Sequence, residues 1–157
     1  CELGGVLSPF NAWLLLRGLK TLGLRMRQHC ANAERVAAFL ADHPKVQRVF
    51  YPGLEGSPGR ETAMSQMSGF GAIISFEVKG GLAAASRAVD TSELFPIAVS
   101  LGDCETLIQL PAAMTHRGYD RERLAEFGLT ESMVRLSVGL EDSDDIVAEL
   151  DRMLAEA

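Results

Sequence analysis

No apolar run in this 157-residue chain reaches the length of a membrane-spanning helix, which takes about 20 residues. The start has no charged head followed by an apolar core and a small-residue cleavage site. Long basic runs are also missing, and the formal net charge is −6, so neither nucleic acid nor an anionic membrane surface is an expected partner. Cysteine is scarce. Cys1, Cys30 and Cys104 are odd in number and widely spaced, which fits neither a disulfide framework nor a metal cluster. The expectation is three reduced thiols in a cytoplasmic protein. His29, His43 and His116 stand at no ligand spacing with acids or cysteines, so no metal site is expected. Lys20, Lys45 and Lys79 are the only lysines. Lys20 falls in an apolar segment and Lys79 beside a double glycine; neither stretch resembles a Schiff-base site, and an outward lysine is the default. No nucleophile stands with its base, and no phosphate loop is present.

What is there is enough for one domain with a sizeable core; 47% of the residues are hydrophobic. The chain opens at Cys1 with no initiator methionine, directly before an apolar segment, and is expected to be a piece of something longer. Ser8-Pro9 reads as a helix start, a capping hydroxyl followed by proline in the first turn. The helix predicted from Phe10 to Leu22 is apolar almost all round, through Trp13, Leu14, Leu15, Leu16, Leu19 and Leu22. Such a helix expects burial on several sides, within a core or against another domain or subunit. Gly23 is expected to break it. An amphipathic helix then runs from Leu24 to Asp42, with Met26, Cys30, Ala33, Ala37 and Leu40 inward and Arg25, Arg27, Gln28, Asn32 and Arg35 outward.

Strands are predicted over 46–51, 72–78, 97–100, 106–110 and 133–140, and short helices over 61–67, 82–89 and 120–127. A final helix covers 143–155, with Asp142, Asp144 and Asp145 at its positive end and Ile146, Val147, Leu150 and Leu154 toward the core. The sum is an α/β sandwich of four or five mixed or antiparallel strands covered by helices.

The central stretch is Met133–Leu140, MVRLSVGL. Two-residue alternation puts Val134, Leu136 and Val138 on one face and Arg135, Ser137 and Gly139 on the other. A guanidinium amid apolar sequence needs a partner, and its planar fork fits a carboxylate. Arg135 is therefore half of an internal ion pair or a socket for a ligand's carboxylate. Val99-Ser100-Leu101-Gly102-Asp103 is the second informative stretch. A turn at glycine there can point a hydroxyl and backbone N–H groups into a cleft, although a serine satisfied by its own turn is commoner. Met114-Thr115-His116 is a third candidate, since a histidine can move protons near neutral pH; a loop histidine is the plainer account.

The runs SPFNAWLLLRGLKTL from Ser8, VSLGDCETL from Val99, PAAMTH from Pro111 and VRLSVGLED from Val134 resemble the C-terminal part of the cysteine and methionine metabolism enzymes. These are pyridoxal phosphate (PLP) enzymes with the aspartate aminotransferase fold, fold type I. They include methionine gamma-lyase, cystathionine gamma-lyase and the homoserine-ester sulfhydrylases. The runs LRMRQHCANAERVAAFLA, VFYPGL and VRLSVGLEDSDD look most like the methionine gamma-lyases. The resemblance implies a small C-terminal domain over 23–157, with residues 1–22 as a linking helix packed on a PLP-holding domain. It implies that Arg135 binds the substrate α-carboxylate, that Ser100 and the Leu101 backbone complete the socket, and that Thr115 lies near the same pocket. Val99 stands where cystathionine gamma-lyases typically carry glutamate, which suits a thioether substrate.

The family's aldimine lysine, its pyridine-pairing aspartate and its ring-stacking tyrosine match nothing here. The resemblance thus implies PLP held by an N-terminal part, a sulfur amino acid substrate, a homotetramer, and a fragment inactive alone. A stand-alone amino-acid-binding module is the alternative from another class.

Overall fold

The computed structural model describes residues 5–157, except for the Arg121 side chain. The elements run α1 (Pro9–Leu19), α2 (Leu22–Asp42), β1 (Val46–Phe50), α3 (Arg60–Gln66), β2 (Ile73–Val78), α4 (Gly81–Asp90), β3 (Leu107–Gln109), α5 (Arg121–Glu126), β4 (Met133–Ser137) and α6 (Ser143–Ala155). The four strands form one sheet in the order β1-β2-β4-β3, antiparallel at every pairing. The expected α/β sandwich is borne out in two layers.

Alternation along the strands divides the sheet into two faces. The rows Val49–Phe76–Val134 and Ile74–Leu136–Ile108 cross one face. Helices α2 and α4 lie against it, and α6 packs on both. Ala33, Val36, Leu40, Ile146, Leu150 and Leu154 join these strand residues in one core. The other face carries the row Phe50–Ser75–Arg135–Gln109, one residue from each strand.

Four expectations are corrected. First, 97–100 is not a strand. Only Ile97 bridges to Ile108, in parallel, with Ala98 N–H donating to the Ile108 carbonyl at 3.0 Å. Pro96 has no N–H to offer, and the carbonyls of Val99 and Ser100 turn to Arg135 instead of a ladder.

Second, the break after the first helix falls at Lys20-Thr21, and Gly23 lies within the first turn of α2. Arg25 Nη2 donates to the Gly18 carbonyl at 2.9 Å, taking the acceptor that the next turn of α1 needs. Third, the buried stripe of α2 is His29, Asn32, Ala33, Val36, Ala37 and Leu40, so Asn32 faces inward and Met26 outward. Asn32 is drawn in because its Nδ2 donates to the carbonyls of Gly139 (3.1 Å) and Glu141 (2.9 Å).

Fourth, β4 stops at Ser137. Past it the Gly139 N–H donates to Thr106 Oγ1 at 2.8 Å and the Leu140 N–H to the Cys104 carbonyl at 2.7 Å, so a side chain interrupts the ladder.

Helix α1 is started by Ser8, whose Oγ accepts from the Asn11 N–H at 3.2 Å. None of its residues is buried, and Phe10, Trp13, Leu14, Leu15, Leu16 and Leu19 are all exposed. No helix among the described residues is long and apolar enough to cross a membrane.

Candidate functional site

β4 is an inner strand, paired on both sides, and it presents Arg135 on the face opposite the Phe76–Val134 row that meets α2 and α4. The guanidinium is half-buried, and its N–H groups go to uncharged oxygens. Nη2 donates to the Ser100 carbonyl at 2.7 Å and the Val99 carbonyl at 3.3 Å. The Gln109 amide, with its oxygen turned to the guanidinium, accepts from Nη1 at 3.1 Å and from Nε at 3.2 Å. Hydrogen bonds to a charged group contribute about 1.5–3 kcal/mol each, so these neutral acceptors suffice to hold the guanidinium without an ion pair. No carboxylate among the described residues pairs with Arg135. Burial lowers its pKa from the ordinary arginine value, and an arginine still keeps its proton at neutral pH. The result is a fixed cation whose charge is not neutralised by a carboxylate of the described residues.

The segment from Val99 to Cys104 runs along this cation and is pinned on both sides of it. Ser137 Oγ, on the same strand face as Arg135, accepts the Gly102 N–H at 2.9 Å. Gly102 has φ +81°, a conformation that glycine adopts without strain. Further along, the Glu141 carboxylate accepts the Thr106 N–H at 2.5 Å and the Thr106 hydroxyl at 2.8 Å. Gly139 sits beneath this clamp, where an added Cβ would lie 2.5 Å from both the Cys104 carbonyl and the Thr106 nitrogen.

The sequence-derived candidates are distributed as follows. Ser100 meets Arg135, but through its carbonyl rather than its hydroxyl. Val99 and Leu101 are exposed and give the segment two apolar side chains. Thr115 stands in the turn after β3, with its hydroxyl 2.8 Å from His116 Nδ1 and 3.5 Å from the Pro111 carbonyl. Its bonds run to its own turn and not to Arg135. Gln109 and the Thr106–Glu141 clamp escaped the sequence reading. The signal for Gln109 is a lone amide in the apolar strand Leu107-Ile108-Gln109-Leu110.

These residues make no cradle for a pyridoxal group. Lys45 Nζ donates to the Ala157 carbonyl at 2.8 Å and Lys79 Nζ to the Pro44 carbonyl at 2.7 Å. Lys20 caps the end of α1. None of the three lysines belongs to the strand row that carries Arg135. What the arrangement supplies is a fixed guanidinium held by neutral oxygens, not a carbonyl-capturing amine.

Residues 1–155 match the Cys/Met metabolism PLP-dependent enzyme family. The chain is 52% identical over 151 residues to an L-methionine gamma-lyase of Fusobacterium nucleatum, covering 96% of this chain and 38% of that protein. It is 46% identical to a cystathionine gamma-lyase of Bacillus subtilis, again over 96% of this chain and 40% of the relative. Among solved structures, a putative O-acetylhomoserine (thiol)-lyase from Campylobacter jejuni superposes with a TM-score of 0.92 at 40% identity, covering 98% of this chain and 37% of that one. That structure holds a pyridoxyl-lysine phosphate at position 205. This chain therefore spans about two fifths of the length of such relatives. Its two-layer sandwich is the small C-terminal domain of fold type I, and the chain belongs to the Cys/Met metabolism PLP-dependent enzymes.

Proposed function

We propose that this chain is the substrate-carboxylate-binding part of a carbon–sulfur lyase that converts L-methionine to methanethiol, 2-oxobutyrate and ammonia. The observation that carries the proposal is the Arg135 cation, held in place by neutral oxygens and free of any described carboxylate. A substrate α-carboxylate is a stronger acceptor than a peptide carbonyl, and the 3.3 Å contact to Val99 is the one it would replace. Ser100 and the Leu101 backbone would close the socket, with Thr115 at its margin.

The cofactor would be held by residues outside this chain, in an N-terminal part, and the fragment alone would be inactive. Residues 1–22, with the exposed apolar face of α1, would link 23–157 to that part. A homotetramer in the cytoplasm completes the proposal.

The substrate assignment rests on Val99, a neutral, exposed residue whose carbonyl meets the arginine and whose side chain would suit the thioether of methionine better than the distal amino acid group of cystathionine. The homoserine esters form the second reading, favoured by the structural likeness to the Campylobacter jejuni protein. Exchanging Arg135 for Ala in the full-length protein is expected to raise KM steeply and lower kcat/KM; an unchanged kcat/KM would refute the role. Comparing kcat/KM for L-methionine, L-cystathionine and O-acetylhomoserine tests the substrate, with methionine expected to lead.

A further inference from the structure

We infer that Gln109 is a positioning residue for the carboxylate socket: a buried, uncharged amide that aims the Arg135 fork while leaving its charge for the ligand. This rests on the proposed role of Arg135. Gln109 and Arg135 are direct partners across β3 and β4. Gln109 is 2% exposed, in a strand whose other members, Leu107 and Ile108, are apolar. A buried amide is costly unless it is bonded; turned with its oxygen toward the guanidinium, the orientation that satisfies both groups, it accepts from Nη1 at 3.1 Å and from Nε at 3.2 Å.

Two alternatives at this position show why the amide matters. Leucine would fill the space but leave those two donors without acceptors. Glutamate would keep both hydrogen bonds, but its charge would cancel that of the guanidinium and repel an incoming carboxylate. Glutamine supplies the acceptor without the charge. With the carbonyls of Val99 and Ser100 holding the opposite nitrogen, the fork is fixed from two sides by groups of no net charge.

The test uses the full-length holoenzyme and two partial probes, each lacking one group of the amino acid, measured by calorimetry. One is 4-(methylthio)butanoate, which has the carboxylate and no amine. The other is 3-(methylthio)propylamine, which has the amine and no carboxylate. Gln109→Glu is expected to weaken the carboxylate probe at least tenfold and to leave the amine probe within about twofold. Gln109→Leu, which adds no charge and suits the strand, is expected to weaken the carboxylate probe severalfold with the same selectivity, and it decides the matter if the Glu variant does not fold.

Equal losses for both probes would assign Gln109 a merely structural role and overturn the inference, as would wild-type binding of the carboxylate probe by Gln109→Leu or by a folded Gln109→Glu. Arg135→Ala is measured beside them. If that variant binds the carboxylate probe normally, the proposed role of Arg135 fails. If it loses the probe while the Gln109 variants keep it, only the Gln109 inference fails.

Discussion

Ser137 Oγ accepts the Gly102 N–H at 2.9 Å, two residues along β4 from Arg135. Arg135 holds the carbonyls of Val99 and Ser100, so one strand face grips the segment at two successive points. Removing the hydroxyl with Ser137→Ala deletes one grip, a loss of about 1 kcal/mol, or roughly fivefold in a local opening equilibrium. The Gly102 amide is expected to exchange its hydrogen about fivefold faster, and KM of the full-length protein to rise a few-fold with kcat nearly unchanged. Unaltered exchange at Gly102 would show that the segment is held by other means.

Gly139 admits no side chain. Even a methyl group would be driven into the Cys104 carbonyl, which accepts the Leu140 N–H, and the Thr106 nitrogen, which donates to Glu141. Gly139→Ala is expected to destabilise the fold by about 1–3 kcal/mol, the usual cost of overpacking a filled site. Urea unfolding measures this, and a midpoint equal to that of the unaltered chain would contradict it.

The buried Glu149 joins α6 to the loop after α4. Burial opposes its ionisation, but hydrogen bonds from Arg152 and from the backbone N–H groups of Glu93 and Leu94 outweigh it and hold the carboxyl below the usual glutamate range. A carboxylate whose pKa is depressed on folding contributes stability at neutral pH and loses it as pH falls through the folded value. Glu149→Gln is thus expected to lower Tm at pH 7. The gap to the unaltered protein should narrow as pH drops below the ordinary glutamate value of about 4.3. A gap that stays constant with pH would locate the effect in shape, not charge.

Trp13 reports on the apolar face of α1. It is the chain's single tryptophan, 54% exposed, with Phe10 at 6.1 Å and the Arg17 guanidinium at 5.9 Å. The 157-residue chain alone is expected to emit at a water-exposed wavelength when dilute, and to shift to the blue as it self-associates through this face. Sedimentation should show the association. A monomer at all concentrations would mean that α1 needs no covering surface.

The core of the sandwich was legible because period-two alternation survives wherever one strand face is dry. Val134, Leu136 and Val138 were placed on one side by spacing alone, and each is at most 1% exposed. Arg135 was legible as a candidate site for a related reason: a cation in an apolar strand demands an explanation. Legibility failed where a side chain overrides the backbone pattern. Arg25 capping Gly18 moved the helix break away from Gly23. The pull of Gly139 and Glu141 on Asn32 rotated α2 about its axis relative to its hydropathy. The 97–100 segment has strand-like composition, yet its carbonyls serve a guanidinium 35 residues further along. Gln109 stood out in sequence only as a lone amide among apolar residues; its partner became apparent with the β3–β4 register, which is set by residues distant in sequence.

The two walls of the proposed socket differ in the cost of opening them. Arg135 rides on a strand bonded to neighbours on both sides, so freeing it requires breaching the whole sheet, at close to the global free energy of unfolding. The Val99–Gly102 wall is exposed and held by only a few side-chain bonds, so it opens by small local excursions. The proposed socket would thus pair a slow anchor with a faster wall. A carboxylate held there would rest on the sheet, while the side chains that meet the rest of the substrate would adjust on the timescale of a loop.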